Sequence, residues 1–216
     1  MASPDTTAHD TPTPNVLSRA MYFGSADQPC LGWWHAVQGP SSLAVVVCAP
    51  FGLEDLSAYR SLKYLATSLA AAGLPTLRFD YAGCGDSGGD DEEGDQVAAW
   101  IQSIHAAVEL SKSLSGASQV ALVGLRLGAL LAAAAATERD DIQTLVAIAP
   151  PASGRAFVRD CRLLGAVAGV GAARADGRLC LPSKSKMKTL SSSGRSTPIR
   201  FPTRRCKSSK PNLRRG

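Results

Sequence analysis

The segment Ala121-Leu122-Val123-Gly124-Leu125-Arg126-Leu127-Gly128-Ala129 restricts the possible folds more than any other part of this chain. An apolar run meets two glycines four positions apart and leaves as an alanine-rich stretch, the pattern of a buried strand turning sharply into a helix. The first glycine lets the backbone turn; the second lets helix and strand pack closely. Three residues lie between them, and the central one is Arg126, which is always charged, has five donors and no acceptor, and cannot act as a nucleophile.

Around this turn, strand-like and helix-like stretches alternate. Met21 to Gly24 and Leu31 to Val37 flank a polar turn and read as an antiparallel pair. Leu43 to Ala49 is a continuous apolar run of the kind buried on both faces of a parallel sheet, ended by Pro50-Phe51-Gly52. Leu56, Tyr59, Leu62, Leu65, Ala66 and Leu69 recur at helical spacing, so a helix is expected over Leu56 to Ala72, closed by Gly73. Thr76 to Asp80 reads as a strand, Tyr81 to Gly89 as a glycine-rich loop, and Glu92 to Leu114 as a helix with acids in its first turn. Gln119 to Val123 and Gln143 to Ala149 read as further strands, Leu127 to Thr137 and Ser153 to Ala168 as helices. Such alternation predicts an α/β fold, a mostly parallel sheet with helices on both faces, with functional groups at the carboxyl ends of the strands.

Charge divides the chain. Residues 170–216 hold 13 Lys and Arg against one acid, Asp176, whereas residues 1–169 hold 10 against 17, so a net +12 follows a net −7. The overall +5 therefore describes neither part, and the basic segment has only Phe201 as an aromatic, so no specific nucleic-acid recognition is expected from it. Residues 1–18 read as a disordered leader, 19–169 as the folded domain and 170–216 as a disordered basic tail. Cysteines 30, 48, 84, 161, 180 and 206 form no CxxC pair or His/Cys cluster, which fits reduced thiols in a cytoplasmic protein without metal or disulfide framework. No apolar stretch is long enough to span a membrane, and no secretory signal pattern opens the chain.

Over roughly residues 20–165 the chain resembles the α/β-hydrolases, in particular the bacterial serine aminopeptidase S33-like branch that includes esterases and exosortase-associated hydrolases. The resemblance rests on four landmarks: the Pro50-Phe51-Gly52 turn, Tyr59-Arg60-Ser61-Leu62, the stretch Leu77 to Gly88, and the turn Gly124 to Gly128. It implies that Arg126 stands in the nucleophile position, where serine would be expected. It also implies an oxyanion hole from the backbone N–H groups of Phe51 and Leu127, and a site-rim loop in which Asp80, Asp86 and Ser87 take part. No cofactor is implied. A small acyl or anionic ligand is the expected partner; oligomeric state is not readable.

Other readings of these residues lead elsewhere. Gly83 to Gly89 lacks the Lys-Ser/Thr ending of a phosphate cradle, and nothing near Cys84 in sequence would make it a thiolate. The family order is nucleophile, acid, then histidine, yet His9, His35 and His105 all precede Arg126; Asp140, Asp141 and Asp160 follow it without a recognisable strand to carry the triad acid. Arg126 either binds a carboxylate or phosphate above the sheet or pairs with a nearby acid such as Asp80 or Asp86. Relative to the eight strands the resemblance implies, the last two are not readable after Gly169, which suggests a truncated or frameshifted C-terminus and leaves Thr144 to Ala149 at a sheet edge. Three functions follow: an inactive hydrolase-family protein of esterase or amidase ancestry, a binder of an anionic acyl compound through Arg126, or a nonspecific nucleic-acid or anionic-membrane binder through the basic tail.

Overall fold

The computed structural model describes residues 16–89 and 95–167, side chains of 164–167 excepted. The expected leader up to residue 15, the first turn expected for the helix at Glu92, and the basic tail 170–216 lie outside the described residues, as does any strand beyond them.

Strands β1 (Ser18–Gly24) and β2 (Pro29–His35) form an antiparallel pair in which Ser18 lies opposite His35 and Gly24 opposite Pro29. β3 (Leu43–Cys48) follows, and all of its residues after Leu43 are buried, because helices cover both its faces and remove the need for alternation. Helix α1 (Leu53–Ala71) begins three residues before the expected Leu56. Gly52, at φ 69° and ψ −130°, turns the chain directly from the strand into the helix, which draws Glu54 and Asp55 into the first turn. β4 (Thr76–Phe79) comes next, then α2 (Gln96–Ser115). No acid occupies the first turn of α2, contrary to expectation. Asp95 caps it instead, its carboxylate accepting from the N–H groups of Val97 at 3.1 Å and Ala98 at 3.2 Å. β5 (Gln119–Leu125), α3 (Leu127–Ala136), β6 (Ile142–Ile148) and α4 (Gly154–Val167) complete the order.

The sheet order is β1-β2-β4-β3-β5-β6, with β4, β3, β5 and β6 mutually parallel. The chain steps from β3 to β4 on one side and then crosses β3 to reach β5 on the other. Loops leaving β3 and β5 consequently diverge at the carboxyl ends of those two strands, the place where open parallel sheets bind ligands. One core lies beneath α2 and α3, around Val46, Leu77, Phe79, Trp100, Ile104 and Leu122; a smaller one, Val45, Val47, Leu62 and Ala121, lies beneath α1. Leu77 and Ile104 are fully buried, so cutting either back to alanine costs about 2–5 kcal/mol. Among the described residues, no helix is long and apolar enough to cross a membrane.

Candidate active site

Two close approaches fix the turn between β5 and α3. A Cβ added to Gly124 would lie 2.4 Å from Ala129 Cα, and one added to Gly128 would lie 2.3 Å from the carbonyl oxygens of both Cys48 and Ala49. Backbone meets backbone here, so the glycines are required by packing as well as by turning. Between them Arg126 adopts φ 55° and ψ −119°, a conformation that costs a side-chain-bearing residue about 1–3 kcal/mol. Its own N–H donates to Ile148 O at 3.0 Å, which pins the lifted residue to the end of β6.

The guanidinium is not free. Nε donates to Glu54 Oε1 at 2.9 Å and Nη1 to Ala149 O at 3.2 Å. The acid that meets Arg126 is thus Glu54 on α1, rather than Asp80 or Asp86. Glu54 is not among the residues expected at the site, because a helix starting at Leu56 would leave it in a loop; its place two residues after Gly52 is the local signal for it. Glu54 Oε2 is buried without a hydrogen-bond partner among the described residues, so the pair is joined through a single carboxylate oxygen.

Leu127 is the first residue of α3 and Phe51 lies in the turn after β3, so both stand at the carboxyl ends of the parallel strands. Among the described residues neither N–H meets an acceptor. Phe51 is buried, its ring stacked at a tilt on Trp100 with centroids 4.8 Å apart. Behind it Tyr81, fully enclosed, donates from its hydroxyl to Ala49 O at 3.3 Å; burial, with Cys48 and Cys84 nearby, raises its pKa well above the usual phenol value.

On the rim, Asp80 Oδ2 accepts from the Asp86 N–H at 3.0 Å. Ser87 donates its hydroxyl proton to Asp80 O at 2.7 Å and accepts from the Leu31 N–H at 2.8 Å, so the loop is tied to β2. Gly85, at φ 54°, leaves no room for a Cβ beside Asp80. Asp55 lines a small cavity with Tyr59, Arg78 and Asp80; burial and then the charge of Asp80 push its carboxyl up to about 6, against the opposing pull of Arg78. Arg78 itself is buried, its guanidinium 4.1 Å from the Trp33 ring centroid and 4.8 Å from that of Tyr59.

The remaining candidates are dispersed. His35 pairs across the sheet with Thr76, at the start of β4 and so at the opposite end of the parallel strands from Arg126; burial, then Arg78 and Lys63, lowers its pKa to about 4. His105 on α2 pairs with Glu138 at 3.0 Å. Asp141 precedes β6 by one residue and is held by Lys112 and Arg139, each at 2.6 Å. Seven residues of strand, about 20 Å, separate it from the Arg126 end of the sheet, too far for a triad acid. Asp160 lies on α4 beside Arg159, and Cys84 lies against the main core. Among the described residues no group of three or more His, Cys, Asp or Glu forms a metal site.

A mostly parallel sheet with a switch point at β3, and a strained residue between close-packed glycines at the end of β5, together define the α/β-hydrolase class. The chain belongs to the serine aminopeptidase S33 family, whose family model matches residues 43–193. Solved structures agree on the fold. An α/β serine hydrolase homologue from Coxiella burnetii superposes with a TM-score of 0.53 at 21% identity, covering 64% of this chain and 66% of its own. A lidless α/β serine hydrolase from Xanthomonas campestris gives 0.54 at 23%, covering 63% of each chain. An esterase from Pyrococcus furiosus gives 0.57 at 21%, covering 72% of this chain and 57% of its own. The chain thus spans less than two thirds of each of these relatives. No curated protein matches it by sequence.

Proposed function

We propose that this chain is a non-catalytic member of its hydrolase family, retaining the architecture of an esterase or amidase site without its chemistry. The observation that carries this reading is Arg126 in the lifted position, its guanidinium engaged by Glu54 and by Ala149 O. Acyl transfer needs an oxygen or sulfur nucleophile and a base to take its proton. A guanidinium supplies no lone pair for attack. Neither described histidine stands at the turn: His35 sits at the far end of the sheet and His105 pairs with Glu138. The test is hydrolysis of short p-nitrophenyl esters by the purified chain and by Arg126→Ser. Neither is expected to exceed the buffer rate, since serine without a base is not activated. Turnover by the unmodified chain overturns the proposal.

A second reading, binding of an anionic acyl compound, is favoured by the N–H groups of Phe51 and Leu127, which meet no acceptor among the described residues. Glu54 works against it, because its carboxylate already holds Arg126 and repels an incoming one. Calorimetric titration with hexanoate separates the two: affinity that rises in Glu54→Gln supports binding at Arg126, and no heat in either protein removes it.

A further inference from the structure

Beneath α1 a buried charge is left short of partners. Val47 on β3 and Arg78 on β4 are register partners, so both point to the sheet face that α1 covers. Opposite them Asp55, Tyr59 and Leu62 recur at intervals of four and three along α1 and so share one helix face. Together with Asp80 these residues line a small cavity.

Arg78 is only 7% exposed. Its guanidinium lies against the Trp33 and Tyr59 rings, which stabilise its charge but take few of its five protons. Nη2 donates to the Tyr59 hydroxyl at 3.2 Å, whereas Nε, fully enclosed, meets no acceptor among the described residues. Asp55, half-buried on the same cavity, feels the charge of Arg78 but makes no direct hydrogen bond or ion pair among the described residues. Buried charge without hydrogen bonds is costly, so a donor and an acceptor lining one cavity without touching call for something between them.

Size and charge identify the occupant. The cavity admits about one water molecule. Arg78 repels a cation, and Asp55 and Asp80 repel an anion, so the occupant is neutral; it must also accept from Nε and donate to a carboxylate. We propose that this cavity is a binding site for a single water, which accepts from the Arg78 Nε–H and donates to the Asp55 carboxylate, joining β4 to the first turn of α1. Glu54, the next residue in that turn, holds Arg126, so the start of α1 is tied both to β4 and to the turn after β5.

Rotating-frame NMR on the full, isotopically labelled chain tests this. The Arg78 Nε–H should show a cross-peak at the water frequency, of the sign that marks dipolar contact rather than chemical exchange. Absence of that peak overturns the proposal, as does a contact from another side chain of this protein in its place. An Nε–H that exchanges with solvent too fast to be seen overturns it equally, since that marks an open pocket rather than a held water. Tyr59→Phe removes the hydroxyl bonded to Arg78, whose own exchange with solvent imitates such a peak; the peak should persist there, and its loss refutes the assignment to water. Asp55→Asn keeps an acceptor and should keep the peak, whereas Asp55→Ala should lose it. Equal peaks in those two variants, whether kept or lost, refute the bridge. Should a variant not fold, the measurement on the unmodified chain still decides.

Discussion

Gly128→Ala tests the reading of the turn most directly. The added methyl would lie 2.3 Å from two carbonyl oxygens, those of Cys48 and Ala49, when ordinary contact begins near 3.4 Å. Relief requires the start of α3 to move away from the end of β3 by about 1 Å, and neither side of the contact is a flexible side chain. Overpacking of this kind costs about 1–3 kcal/mol, and a rigid backbone contact belongs at the upper end. Gly116→Ala is the matched control. Its Cβ would meet nothing within 4 Å, but Gly116 sits at φ 72° as the cap of α2, so its substitution costs about 1 kcal/mol of backbone strain alone. Urea unfolding of both variants and the unmodified chain gives the difference, with equal m-values required before midpoints are compared. Gly128→Ala should exceed Gly116→Ala by about 2 kcal/mol, or about 4–8 °C in Tm for a domain of this size. Equal losses would falsify the claim that close approach, rather than turning alone, demands glycine at position 128.

Further outcomes follow from the charges. Glu54→Ala removes the partner of Arg126, yet both side chains are about one-third exposed, so the loss should stay below about 1 kcal/mol in denaturant unfolding; a loss several times larger contradicts a solvent-screened pair. His35 has a folded pKa near 4 against an ordinary 6.5, so between those values the unfolded chain binds a proton that the folded one refuses, and stability falls as pH drops from 6.5 to 4. His35→Leu should flatten that limb in thermal melts across the window; an unchanged slope contradicts it. Asp55 acts in the opposite sense: its folded pKa near 6 lies above the ordinary 3.8, so stability is lost as pH rises between them. Asp55→Asn should therefore gain on the unmodified chain from pH 4 to 7, and a constant difference between the two melts over that range counts against the assignment.

Most of the fold was legible because each element declared itself locally. The run Leu43 to Cys48 has no alternation, which only a strand covered on both faces tolerates, and Leu62, Leu65, Ala66 and Leu69 recur at the helical period. Helix starts were less legible. α1 begins at Leu53 because Gly52 adopts a backbone angle that the residue letters permit but do not demand, and the cap of α2 is Asp95, one acid in an acidic stretch where several had equal claim. The candidate site divides the same way. Phe51, Arg126 and Leu127 were identified through their turns and through family resemblance, whereas Glu54 is separated from Arg126 by 72 residues and no local pattern links them.

The residue letters are thus enough to specify the elements, the mostly parallel arrangement, and a charged, non-nucleophilic side chain in the turn after β5, since these depend on periodicity, glycine spacing and residue chemistry. What that side chain touches is settled by packing between distant elements. Which of several acids reaches Arg126 depends on how α1 lies across the sheet from a turn at the end of β5, and that placement is set by the packing of many residues together. The same holds for β6: its composition predicted a strand, but which of its backbone groups face away from β5 depends on the register set by its neighbour.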